Sequence, residues 1–177
     1  SINEVGKLAT GEALKQFDAD SRPIVIGNVK FTSRCESGKN YQTPYGVVRI
    51  DRQVYQTSKG GKVYIPLESS ARIIQGATPR FAKILSHKYS NLPAPTVLED
   101  LSDNHDRKIA LSYLQNVTDY VGSIVQAKEE CWEYEHVKLD KAVSAMGISL
   151  DGAYILTVND GYREGMVGTV TLYGNQG

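Results

Sequence analysis

Cysteine is nearly missing from this chain: Cys35 and Cys131 are the only two in 177 residues. They could pair, but they lie far apart, and a reducing compartment favours free thiols. No C-x-x-C pair exists, so a zinc ribbon has no support. His87, His105 and His136 show no metal-ligand spacing and have no cysteine nearby. Long apolar runs are absent as well. None approaches the roughly 18 residues that span a bilayer. No basic-then-apolar leader opens the chain, so the expectation is a cytoplasmic protein with no membrane partner. A nucleophile elbow and paired carboxylates at a defined spacing are also lacking. Ser37-Gly38-Lys39 has no upstream glycine of the kind a phosphate loop needs. A small standalone enzyme therefore has little to build on.

Net charge is absent too, with 20 bases against 20 acids, yet the charges are unevenly spread. Arg22 to Lys88 holds twelve bases and three acids, a balance of +9. Tyr89 to Gly177 holds six bases and thirteen acids, a balance of −7. A basic block is the footprint of a phosphate-binding surface, although a solvated face on an ordinary domain has the same composition. The 41% hydrophobic and 23% charged residues fit a soluble globular protein of one domain or two small ones.

Periodicity predicts mixed α+β elements. Val5, Leu8, Leu14 and Phe17 mark a short amphipathic helix over residues 3–17, ended by Asp18, Asp20, Ser21 and Pro23. Residues 24–26 and 29–32 read as strands. The clearest β pattern runs from Gly46 to Gln56, where Val48, Ile50 and Val54 recur at even spacing. Ser58-Lys59-Gly60-Gly61 is turn-like, and Val63-Tyr64-Ile65 returns as a second strand stopped by Pro66. That hairpin would carry Arg49, Arg52, Lys59 and Lys62 as phosphate contacts.

Three helices are expected next. Thr78-Pro79 starts the first, with Phe81, Ile84, Leu85 and Tyr89 inward and Arg80, Lys83, His87 and Lys88 mostly off that stripe. Thr96 to Leu101 is a short second helix, and residues 103–106 form the turn. A long third helix runs from about Arg107 to Tyr134, its apolar positions falling at steps of three and four. Such an outline fits a helix-turn-helix, and equally a plain helical bundle. In the first case Arg107, Lys108, Ser112, Gln115 and Asn116 face the major groove. Arg and Lys suit guanine or phosphate, while Gln and Asn suit adenine. After Glu135 to Lys141, strand text covers residues 143–158 and 166–173. Asp151-Gly152 reads as a turn or bulge, and Asp160 and Glu164 as loop groups.

Many short blocks, in order over roughly residues 28–177, resemble the ISKra-type insertion-sequence transposases of bacteria. They include Tyr41-Gln42-Thr43-Pro44-Tyr45-Gly46, Pro66-Leu67-Glu68, Ala77-Thr78-Pro79-Arg80-Phe81-Ala82-Lys83, Gln126-Ala127-Lys128-Glu129-Glu130 and Asp160-Gly161-Tyr162-Arg163-Glu164. The resemblance implies a DNA-binding front half and an RNase H-like catalytic domain, in which three carboxylates hold two Mg²⁺ or Mn²⁺ ions. Asp151 matches the first of those carboxylates, as catalytic group and metal ligand. Family members run on through further strands and two more carboxylates, so this chain is not expected to be catalytically competent alone.

The expected fold is therefore α+β in four parts. These are an N-terminal helix or tail (1–21), a basic β-hairpin region (22–76), a helix-turn-helix-like region (77–136) and the first two strands of an incomplete RNase H-like sheet (137–177). The expected partner is double-stranded DNA at an element's ends. A homodimer or a separate C-terminal part would complete the sheet. The alternative is a protein-interaction module without a DNA role, supported by the acidic third helix and an unfinished strand edge at Met166 to Tyr173.

Overall fold

A computed structural model describes residues 1–61, 63–133, 142–157 and 161–174. The described residues form a mixed α+β fold with five helices and two antiparallel sheets. They fall into two units, residues 1–132 and 133–177.

In the first unit, α1 spans Ile2–Lys15. Its start is set by a capping box: the Ser1 hydroxyl accepts from the Glu4 main-chain N–H, and Glu4 returns the contact to the N-terminal amine. Strand β1 (Ile24–Ile26) pairs with β2 (Val29–Thr43), which pairs with β3 (Gly46–Gln56), all antiparallel. Strand β3 is observed over the predicted range, but its alternation holds only from Val47 to Arg52: beyond it Val54 is half-buried and Tyr55, expected on the outer face, is buried. Val48 and Ile50 are buried while Val47, Arg49 and Asp51 are exposed.

The hairpin partner of β3 differs from expectation. It is β2, not residues 63–65. Thr43 locks the connecting turn, because its hydroxyl donates to the Gly46 carbonyl at 2.8 Å and accepts from the Tyr45 N–H at 3.1 Å. Gly46 sits at φ 145°, which suits glycine. The polar stretch 33–40 has little strand character of its own and is held in β2 by the ladder to β3. Beyond the Gly60-Gly61 turn the described residues meet β3 through the bridge of Tyr55 with Tyr64 and a bond from the Gln56 side-chain amide to the Gly61 carbonyl. Pro66 then opens α2 (Pro66–Ser70) rather than merely stopping a strand. One core forms where Leu14 of α1 and Leu67 and Ala71 of the α2 segment pack on Tyr41, Val48 and Ile50.

Helices α3 (Pro79–Asn91), α4 (Ala94–His105) and α5 (Leu111–Glu129) make a second core. Thr78 precedes α3 at the N-cap position, as predicted, though without a side-chain cap bond. Phe81, Leu85, Val97, Leu101, Leu114 and Val117 are buried, each side chain stabilising the fold by roughly 1.5–3 kcal/mol. Helix α4 is longer than residues 96–101 at both ends: Pro95 fits the first turn, where its missing N–H loses no bond, and Asp103, Asn104 and His105, expected in the turn, are helical. The helix stops at Asp106, which takes the left-handed conformation at φ 53°. Helix α5 starts at Leu111 rather than Arg107, since Ala110 is extended at ψ 148°. It is helical to Glu129; Tyr134, the expected end, lies outside the described residues. Ile124 and Val125 sit on the predicted apolar stripe yet are exposed, because this core ends near Val121; Leu111, the first residue of α5, is exposed at the other end.

The second unit is one antiparallel pair, β4 (Val143–Thr157) with β5 (Gly161–Gly174). Asp151-Gly152 makes neither turn nor bulge there. It lies inside β4, opposite Val167 and Met166. Glu164 is in β5, opposite Tyr154, rather than in a loop; Asp160 lies outside the described residues.

Candidate nucleic-acid interface

Helix α3 packs chiefly on α5 and less on α4. The connection from α4 to α5 is the short segment 106–110, opened by the left-handed Asp106. Burial of Leu114 and Val117 turns the opposite side of α5 outward. Ser112, Gln115 and Asn116 are exposed on that side, and Lys108 is exposed just before it. Asp119 shares the face and opposes an approaching phosphate. On α3, Arg80, Lys83 and His87 are exposed at helical steps of three and four.

Other predicted contacts are engaged elsewhere. Arg107 is 6% exposed, with its guanidinium 5.0 Å from the Phe81 ring centroid. One guanidinium nitrogen donates to the Gln42 side-chain carbonyl, and the main-chain N–H donates to the Leu101 carbonyl. Burial lowers its pKa from the ordinary arginine value. Arg52 is 8% exposed and donates to the Ser37 carbonyl at 2.9 Å. It also shares Glu68 with Lys39 and Tyr41: Lys39 Nζ is at 2.9 Å, Tyr41 Oη at 2.8 Å and Arg52 Nε at 3.3 Å from one carboxylate oxygen. Burial would raise the Glu68 carboxyl, but the bonds from Lys39 and Tyr41, the Lys39 charge and the Arg52 bond together hold it below its ordinary value. The Tyr41 hydroxyl is pushed up, first by burial and then by its bond to Glu68.

Lys88 is ion-paired to Asp100 at 2.7 Å. Bonds from Lys88 and then Asn104 lower the Asp100 carboxyl against a smaller opposing effect of burial. The basic block is thus partly neutralised, by Glu68 from within it and by Asp100 from beyond it. Lys30, Arg34, Arg49, Lys59, Arg72, Arg80 and Lys83 remain exposed, while Lys62 lies outside the described residues. Sequence reasoning overlooked the Glu68 hub, although one of only three acids among twelve bases is itself a signal.

In the second unit, strand alternation puts Asp151 on the opposite face from Glu164, since Asp151 faces Val167 and Glu164 faces Tyr154 in the ladder. Among the described residues no group of three or more His, Cys, Asp or Glu gathers. A single carboxylate does not fit a two-ion Mg²⁺ or Mn²⁺ site, which needs several oxygen ligands in fixed geometry. Among the described residues no helix is long and apolar enough to cross a membrane. No protein-family model and no curated protein matches the chain.

Proposed function

We propose that residues 1–132 bind duplex DNA, with the start of α5 in the major groove, as the end-recognising part of a transposase-like protein. The observation that carries this reading is the polar, exposed first two turns of α5 behind a short α4–α5 turn. Ser112, Gln115 and Asn116 there are of the types that read base edges, and Lys108 precedes them. Arg80 and Lys83 on α3, with Arg49 and Lys59 of the sheet region, act on phosphates, which position without reading sequence. Arg52 and Arg107 support the fold instead, and Lys88 does so through Asp100. The same reading makes Asp151 one ligand of an RNase H-like Mg²⁺ or Mn²⁺ site.

Anisotropy of a labelled duplex across a salt series tests it. Binding should fall steeply as salt rises. Lys83→Ala should weaken all duplexes alike, and Gln115→Ala should lower discrimination between sequences by about 1–3 kcal/mol. Absence of binding at low salt refutes the reading, and equal losses across sequences for both variants refute the assignment of α5.

One observation favours a second reading, a protein-interaction module that pairs with a second copy of itself. The β4–β5 hairpin has one strongly apolar face. Met146, Ile148 and Leu150 stand beside Leu172, Val170 and Met166, all exposed. The other face is mixed, carrying Ser149, Asp151, Thr169 and Thr171 together with Ile155, Val167 and Tyr173. A lone two-stranded hairpin is marginally stable in water. Two such faces stacked would bury on the order of 1,000 Å², the lower bound of a stable interface.

A further inference from the structure

A polar cleft of about 440 Å³ lies at the edge of β2, lined by Asn40, Gln42, Gln75, Gly76, Tyr113 and Tyr120 among others. We propose that it binds the base of an unpaired nucleotide, adenine by preference. The duplex-binding reading supplies the source of that nucleotide, and the proposal rests on it to that extent.

The cleft has the volume of a small-ligand pocket and is built rather than accidental. Its wall is the four-residue turn Ile74–Ala77. Ile74 and Ala77 exchange both main-chain bonds, at 2.9 and 2.8 Å. Gln75 and Gly76 at its corner have φ 50° and 76°, the pattern of a type I′ turn. Gln75 holds a left-handed conformation that a side chain of its type seldom adopts. Such strain is maintained where the surrounding structure enforces it, often at sites of function. The turn is riveted to β2, because the Gln42 N–H donates to the Gly76 carbonyl at 2.8 Å and the Thr78 N–H to the Gln42 carbonyl at 2.9 Å.

The donors are oriented as well. An arginine can only donate, so the bond from Arg107 fixes the Gln42 carboxamide with its oxygen toward the guanidinium. Its NH₂ is left to offer a donor to a ring nitrogen. Gln75 and Asn40 supply further carboxamides, the group that pairs with the N6 and N7 positions of adenine. Tyr113 and Tyr120, two turns apart on one side of α5, supply aromatic surface for stacking. The Tyr113 hydroxyl is buried without a partner. Lys39 and Glu68, on the same wall, are ion-paired at 2.9 Å, so the proposal rests on recognition of the base and not of its phosphate. At 100° per residue, Tyr120 lies one short step around α5 from Asn116, so a base leaving a duplex held on that helix has a near destination.

The test uses the whole ¹⁵N-labelled chain titrated with 2′-deoxyadenosine 5′-monophosphate, with inorganic phosphate as control. Saturable shifts at the amides of Asn40, Gln42, Gln75 and Gly76 are expected, absent with phosphate. Tyr120 is 46% exposed and outside the helical core, so Tyr120→Ala should fold normally and weaken binding about tenfold, the loss of one stacked base. Shifts that are missing, that phosphate reproduces, or that survive Tyr120→Ala unchanged overturn the proposal. Cleft shifts without any duplex binding uphold the site and reject the DNA reading; duplex binding without cleft shifts does the reverse.

Discussion

Replacing Arg107 with alanine separates two roles for this residue. On a DNA-facing helix its loss would weaken binding and leave stability alone. Its position in the structure predicts the opposite. The bond to the Gln42 carbonyl, made by a charged donor, is worth roughly 1.5–3 kcal/mol. Stacking over Phe81 in a desolvated site adds about 1–2 kcal/mol. Against these stands relief of the cost of burying the cation, whose Nε is buried without a partner, about 1–3 kcal/mol. The net expectation for Arg107→Ala is a loss of about 2 kcal/mol. Urea unfolding should show a lower midpoint at unchanged slope. DNA affinity, measured at low temperature where the variant is folded, should change by less than about twofold. An unchanged midpoint combined with lost DNA binding would refute the reasoning and return Arg107 to the interface.

Glu68→Gln should lower stability by about 1–3 kcal/mol, since it leaves Arg52 and Lys39 without their shared counter-charge. The Glu68 carboxyl is held below its ordinary value in the folded chain. Its stabilisation is therefore complete above the unfolded-state pKa and is lost as pH falls through the lower folded one. Thermal unfolding followed across acid pH should show a wild-type decline that Glu68→Gln flattens; parallel curves would remove Glu68 as the cause. For the hairpin, sedimentation should show a concentration-dependent dimer that Ile148→Lys abolishes and Ser149→Lys leaves intact. Equal behaviour of the two variants would reject the apolar face as the contact.

Elements with strong periodicity were legible from residues alone. The β3 range, the Thr78-Pro79 helix start and the inward set of α3 follow from side-chain spacing that any partner surface would satisfy. The pairing of β3 was not legible. Ser58 to Gly61 is as good a turn signal as Thr43 to Gly46, and only the ladder with β2 decides between them. Arg52 and Arg107 read as surface bases because charge usually stays in water. That each is buried depends on partners far along the chain, Glu68 and Gln42. The cleft residues escaped for the same reason, as Asn40, Gln75 and Tyr113 belong to separate elements.

The sequence by itself therefore determined the mixed α+β character, most helix and strand centres, and the unequal spread of charge, because local periodicity and composition need no fold to be read. Only the tertiary structure decided which strands pair, which cations are neutralised, and which amides and tyrosines share a wall. Those outcomes rest on contacts between residues distant in the chain, whose desolvation and hydrogen bonding exist only once the chain is packed.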